Sequence, residues 1–135
     1  MQAQGTFSVK SFTPTELVLE PRIATAAPVG AAVMEKLFEG DIAGRASTLF
    51  TSAFDQNTGA GTYLALESFE GTLNGRPGSF NFAHSATTTG SDRSAPFFVI
   101  VPGSGTGELA GITGTGDIEI DADGTHRIRL DYELS

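Results

Sequence analysis

Five titratable side chains in this sequence stand within apolar, alternating runs, where a proton could be moved away from bulk water. In the run from Thr62 to Gly71, Tyr63, Glu67 and Phe69 share one face, and Leu64, Leu66 and Glu70 share the other. Each face carries one glutamate, and the aromatic pair favours turning Glu67 inward. Phe80, Phe82 and His84 share a face of the next run, so inward phenylalanines bring His84 with them. Near the end of the chain, His126 and Tyr132 accompany Ile128 and Leu130, while Arg127, Arg129, Asp131 and Glu133 alternate with them and must meet water. A carboxylate and two imidazoles in one dry interior would have pKa values shifted toward those useful for proton transfer. The competing account is a polar core network whose members satisfy one another, as buried polar groups must. A metal held by Glu67 and both histidines would need three distant positions to converge, with no adjacent ligand pair to support it. Neither a metal nor another cofactor is expected.

The elements that must position these residues are strands. Gly5 to Phe12 alternates with Phe7 and Val9 on one face. Leu17 to Ile23 is a second candidate strand between Pro14 and Pro21, and residues 24–32 read as a loop. Val33 to Glu39 alternates, Met34, Lys36 and Phe38 against Val33, Glu35 and Leu37, with helix as the competing assignment. A tight turn at Gly40-Asp41 and Gly44 leads into Arg45 to Phe54, and residues 55–61 form a loop. Asn74-Gly75 is the strongest hairpin signal in the chain, joining Thr62–Gly71 to Ser79–Thr87. A polar segment, 88–95, precedes the apolar run Phe97 to Val101. Pro102 then interrupts the ladder, because it has no N–H to donate. The glycines at 103, 105, 107, 111, 114 and 116 turn a tight corner between two strands. Asp117 to Asp121 follows, and Asp123-Gly124 reads as a type I′ turn into His126 to Leu134. Eight or nine strands with no strong helix fit a closed antiparallel barrel or a sandwich.

Composition agrees. Ten phenylalanines for a core and 17 glycines for corners suit an all-β domain, and 135 residues make one domain, 1–135. A formal charge of −8 with few, scattered Lys and Arg argues against nucleic-acid binding. The absence of cysteine excludes a thiol nucleophile and a disulfide framework. No apolar run approaches membrane-spanning length and no leader pattern opens the chain, so a soluble, cytoplasmic protein is expected.

Three tempting motifs do not hold. The glycine corner lacks the Lys and Ser/Thr of a phosphate loop, with Glu108-Leu109 standing there instead. Ser104 lies in PGSGT, which is not a nucleophile elbow. Asp121-Ala122-Asp123-Gly124 echoes the start of a calcium loop without its later ligands.

The stretch SGTGELAGITGTG, preceded by FFVIVP and followed by HRIRLDYEL, resembles the DUF3224 group of small bacterial proteins. EGDIAGRAS (Glu39 to Ser47), YLALESFEGTLNGRPGSF (Tyr63 to Phe80) and the FAH ending at His84 extend the resemblance over most of the chain beyond residue 33. The corner Gly105-Thr106-Gly107 is also similar to that of dirigent proteins and allene oxide cyclases. The resemblance implies an eight-stranded barrel with a central, mainly apolar cavity. It implies no settled activity for the DUF3224 group, although the wider fold includes cofactor-free enzymes that steer cyclisation or radical coupling of hydrophobic substrates. Fold alone does not transfer function.

The reading that results is a closed antiparallel eight-stranded barrel holding a small hydrophobic, polyketide- or lipid-derived molecule, either as a cofactor-independent cyclase or isomerase or as a carrier. Glu67 would be the acid or base, with His84 as its partner. Tyr63, Phe69, Phe80, Phe82, His126 and Tyr132 would bind and orient the substrate. Self-association through the barrel faces is a third reading of the same pattern.

Overall fold

In a computed structural model, which describes all 135 residues, the alternation of the sequence becomes an alternation of burial. Nine strands follow one another: β1 (Gln2–Thr15), β2 (Val29–Gly40), β3 (Ile42–Phe54), β4 (Gly61–Leu73), β5 (Arg76–Thr88), β6 (Ser94–Ile100), β7 (Thr106–Gly107), β8 (Thr113–Ile120) and β9 (His126–Glu133). Strands take 67% of the chain and there is no helix, which settles Val33 to Glu39 as part of a strand. All pairings are antiparallel, and eight strands pair in a ring, β1-β2-β3-β4-β5-β6-β8-β9, with β9 returning to β1. The two-residue β7 pairs with the start of β5. The seam between β6 and β8 is the weakest in the ring, with one residue pair in register, Ile100 opposite Gly114.

The inward faces form a continuous core in which Phe38, Phe69, Phe80, Phe82, Ile42, Leu73 and Leu130 are almost wholly buried. Each such side chain contributes about 1.5–3 kcal/mol by leaving water. One end of the ring carries the short turns at 41 and 74–75 and the glycine corner, whose Leu109 and Ile112 are fully buried in that core. The other end carries the longer connections 16–28 and 55–60 together with 89–93 and 121–125.

The corner needs its glycines. A Cβ on Gly105 would lie 2.0 Å from the Leu109 carbonyl oxygen, and Gly111 has φ +81. Ser104 ties the corner to β5: its hydroxyl accepts from the Asn81 N–H (3.0 Å) and donates to the Val101 carbonyl (2.6 Å).

Three sequence expectations are corrected. Leu17 to Ile23 is not a strand but part of the loop 16–28. Pro21 has no N–H for a ladder, and β1 already has β2 and β9 on its two sides. Residues 29–32, expected in a loop, belong to β2, because they continue its pairing with β3 (Val29 opposite Ala53). Asp123-Gly124 is not a type I′ pair, which requires positive φ at both residues. The Gly124 N–H bonds the Asp121 carbonyl, so Ala122 and Asp123 are the central residues, and only Gly124 has a positive φ, of 90°. Asn74 (φ 48) and Gly75 (φ 81) do have the type I′ signs.

Candidate functional site

The interior is not apolar throughout. On the inward face of β4, the order Tyr63, Ala65, Glu67, Phe69 runs from the end with the longer connections into the core. Beside it on β5, His84 follows Phe80 and Phe82 on the same face, and on β2 Lys36 lies between Met34 and Phe38. Lys36, Glu67 and His84 are all buried, Glu67 to 1% exposure.

Glu67 Oε2 is the hub. It accepts from Lys36 Nζ at 2.7 Å and from His84 Nε2 at 2.5 Å. The Lys36 ammonium also lies 4.8 Å from the centroid of the Phe7 ring, a cation–π contact that partly replaces lost hydration. His84, Phe82 and Phe98 form a triangle of nearly parallel rings, with His84 5.9 and 5.8 Å from the two phenylalanines, which are 5.1 Å apart. Its other nitrogen, Nδ1, is 2.8 Å from the Tyr63 hydroxyl, and that oxygen accepts from both terminal nitrogens of Arg93 at 3.3 and 3.2 Å. The chain Lys36–Glu67–His84–Tyr63–Arg93 therefore runs from the dry interior to the partly exposed end of the ring.

The electrostatics fix the protons. Burial pushes the Glu67 carboxyl up, but the His84 hydrogen bond and the Lys36 charge together hold it below the ordinary carboxylate value. Burial also lowers the His84 pKa, and the opposing pull of Glu67 does not bring it back to the ordinary imidazole value. Glu67 is thus an anion and His84 a neutral imidazole near pH 7. A neutral imidazole facing a carboxylate must place its proton on that side, so Nε2–H donates to Glu67 and Nδ1 accepts from Tyr63. Burial raises the Tyr63 pKa despite Arg93, which keeps it a phenol. Two buried oxygens have no partner: Glu67 Oε1 and Thr48 Oγ1, from residues directly opposite each other on β4 and β3.

The structure brings Tyr63, Glu67 and His84 together, with Phe82 stacked on His84, and places the other expected residues elsewhere. Phe69, Phe80 and Phe82 pack on one another in the core, with centroids 5.2 and 6.1 Å apart along the series. His126 packs on Phe7 (5.0 Å) and makes no contact with the His84 chain. Tyr132 is buried at the opposite end, its hydroxyl accepting from Asn74 Nδ2 at 2.6 Å. No group of three His, Cys, Asp or Glu side chains is arranged to hold a metal. The sequence reading missed Lys36, although its alternation with Met34 and Phe38 was a usable signal. Arg93, in a polar connection between strands, gave none.

Around Tyr63 the end of the ring is aromatic and apolar. Phe50 stacks on Tyr63 at 5.5 Å, Phe12 meets Phe50 edge-on at 5.9 Å, and Met34 lies on the same inward face of β2 as Lys36. Phe12 is 54% exposed, whereas Phe82 is wholly buried. Of the chain's members on the inward faces of the strands, Tyr63 lies nearest this end.

Comparison with known proteins adds a family. The family model described as "Protein of unknown function (DUF3224)" matches residues 3–132. A crystal structure of a DUF3224-family protein with unknown function from Shewanella oneidensis MR-1 is similar over 100% of this chain and 98% of its own, at 30% identity and a TM-score of 0.84. No curated protein matches the chain.

Proposed function

The chain belongs to the DUF3224 family, and from the geometry of its site we propose that it is a cofactor-independent isomerase or cyclase for a small hydrophobic substrate. In this reading the ring is a closed barrel, and the substrate sits at its aromatic end against Phe12, Met34 and Phe50. The observation that carries the proposal is the hydrogen bond from the Tyr63 hydroxyl to His84 Nδ1, with the other imidazole nitrogen held by a buried carboxylate. A base whose tautomer is fixed in this way can take the Tyr63 proton while the phenol oxygen takes one from the substrate. The imidazolium formed is stabilised by Glu67, and Arg93 stabilises negative charge gathering on the phenol oxygen. Returning the proton to another atom of the substrate completes an isomerisation with no net loss or gain. Glu67 is covered and positions His84; Tyr63 is the group that touches substrate. Resemblance of the Gly105-Thr106-Gly107 corner to that of allene oxide cyclases and dirigent proteins supports the same class of reaction.

A carrier is the second reading, favoured by the closed Lys36–Glu67 ion pair, which leaves no net charge from that pair in the interior. Solvent-deuterium exchange into 2-tetralone, an enolisable apolar ketone, separates the two. Wild type should catalyse exchange, Tyr63→Phe and His84→Gln should reduce it to background, and Glu67→Gln should lower it about 10²–10⁴-fold, the usual worth of a positioned acid–base group. Saturable binding of 2-tetralone without exchange would leave the carrier reading.

A further inference from the structure

The outward faces of five adjacent strands hold an unusual row. Val33, Leu49, Leu66, Ala83 and Val99 stand directly opposite one another across β2, β3, β4, β5 and β6. Val33, Leu49 and Leu66 are 50%, 47% and 55% exposed. In the next row toward the end with the longer connections, Leu64 and Phe97 are 59% and 55% exposed, and both are opposite Ser85. A shallow recess of about 470 Å³ opens among Val33, Leu49, Leu66 and Val101, the other half of its lining being polar and uncharged. The exposed apolar area is on the order of 500 Å², near the upper end of what a typical monomer leaves open.

This face is also free of charge. The rows through Val33, Ala31 and Val29 contain no Asp, Glu, Lys or Arg on β2 to β5. The first charges appear a row away, at Glu35, and then at the exposed Arg45–Glu70 pair. The chain as a whole carries −8.

We propose that a second copy of this chain covers the face. Two like-charged copies approach with less repulsion through a broad surface that carries none of the charge. A patch that is apolar over its centre and polar at its rim can pack on itself about a twofold axis, as sheets do face to face. The loop 16–28 supplies the rest of the contact. It leaves β1 and enters β2 beside this face, and it carries Leu17, Val18, Leu19 and Ile23 at 41%, 66%, 52% and 76% exposure. The apolar side chains of one copy's loop, which stand among the exposed Glu16, Glu20 and Arg22, and the other copy's face together approach the roughly 800 Å² per partner of a stable interface. The inference is independent of the site in the interior.

Sedimentation of the purified chain between about 1 and 100 µM, the range in which affinities of ordinary dimers fall, tests it. Wild type should sediment as an assembly of copies. Leu66→Glu, and separately Leu66→Lys, should sediment as single chains with the circular dichroism of wild type. Both charge signs should act alike, because a self-facing patch sets like charge against like. Because Leu66 points to water, neither change touches the core, and Leu64→Glu repeats the test one row away. Arg129→Ser, on the outer face of β9, should leave the mass unchanged. A single-chain mass for wild type throughout the range overturns the proposal, as does an assembly that survives all three charged substitutions.

Discussion

The two ends of the ring's interior solve the same problem with different chemistry. At the end closed by the glycine corner, Phe69, Phe80, Ile42, Leu73, Leu109 and Ile112 fill the space, and the one hydroxyl there, on Tyr132, is matched by Asn74. At the other end, three titratable side chains on β2, β4 and β5 occupy successive inward rows, and the carboxylate keeps one oxygen unpartnered. An apolar end stabilises by area and tolerates no substitute for volume. A polar end stabilises only while every charge keeps its counter-charge, so its arrangement is costly to maintain for stability alone. That contrast is the physical reason to look for chemistry at the polar end.

The largest effects should come from emptying either end, and they should differ in how they are repaired. Phe69→Ala should cost about 3–5 kcal/mol by loss of burial and an unfilled cavity. Lys36→Met should cost about 3–5 kcal/mol for the opposite reason, because it strands the Glu67 charge. Adding Glu67→Leu to Lys36→Met should recover most of the loss in urea unfolding, since an uncharged pair needs no partner. Non-additivity of that kind is the signature of the polar end; two additive losses would mean that Glu67 and Lys36 are not coupled.

A smaller effect should appear with pH, and only through the polar end. The folded-state pKa of His84 lies below its ordinary value, so the unfolded chain takes up a proton where the folded one does not. The stability that His84 contributes is complete above about pH 6.5, its ordinary pKa, and declines as the pH falls toward the folded value. Glu67 is also depressed, so its contribution is complete above about pH 4.5 and declines below that, through its own folded value. Both act in one direction, and the thermal midpoint should fall between pH 7 and 5, more in wild type than in His84→Gln. A midpoint that rises over that interval would mean the folded state prefers an imidazolium beside Glu67.

The smallest difference lies between the two tyrosines. Tyr132→Phe and Tyr63→Phe each remove a hydroxyl with hydrogen-bond partners, a loss of about 1 kcal/mol. Only Tyr63→Phe should abolish deuterium exchange. Equal exchange in the two variants would detach the Tyr63 hydroxyl from the chemistry and leave His84 to act on substrate directly.

Local pattern carried a great deal of this protein. Period-two alternation set Tyr63, Glu67 and Phe69 on one face and Phe80, Phe82 and His84 on another, because a strand can only send neighbouring side chains to opposite sides. Asn-Gly at 74–75 fixed one hairpin through its backbone angles, and the corner glycines stand where Cβ atoms would collide or φ is positive. Register was beyond the reach of such signals. Nothing local says that Thr48 stands opposite Glu67, or that Lys36, 31 residues away, donates to the same oxygen as His84. Nor does alternation say how deep along the ring a residue sits, which is why His126 and Tyr132 share the inward side with His84 and yet take no part in its chain. Leu17 to Ile23 had the composition of a strand and no neighbour to pair with once the ring was complete. Alternation is a property of one strand; the meeting of Lys36, Glu67, His84, Tyr63 and Arg93 belongs to the ring, because only closure through long-range pairing sets which depths face one another.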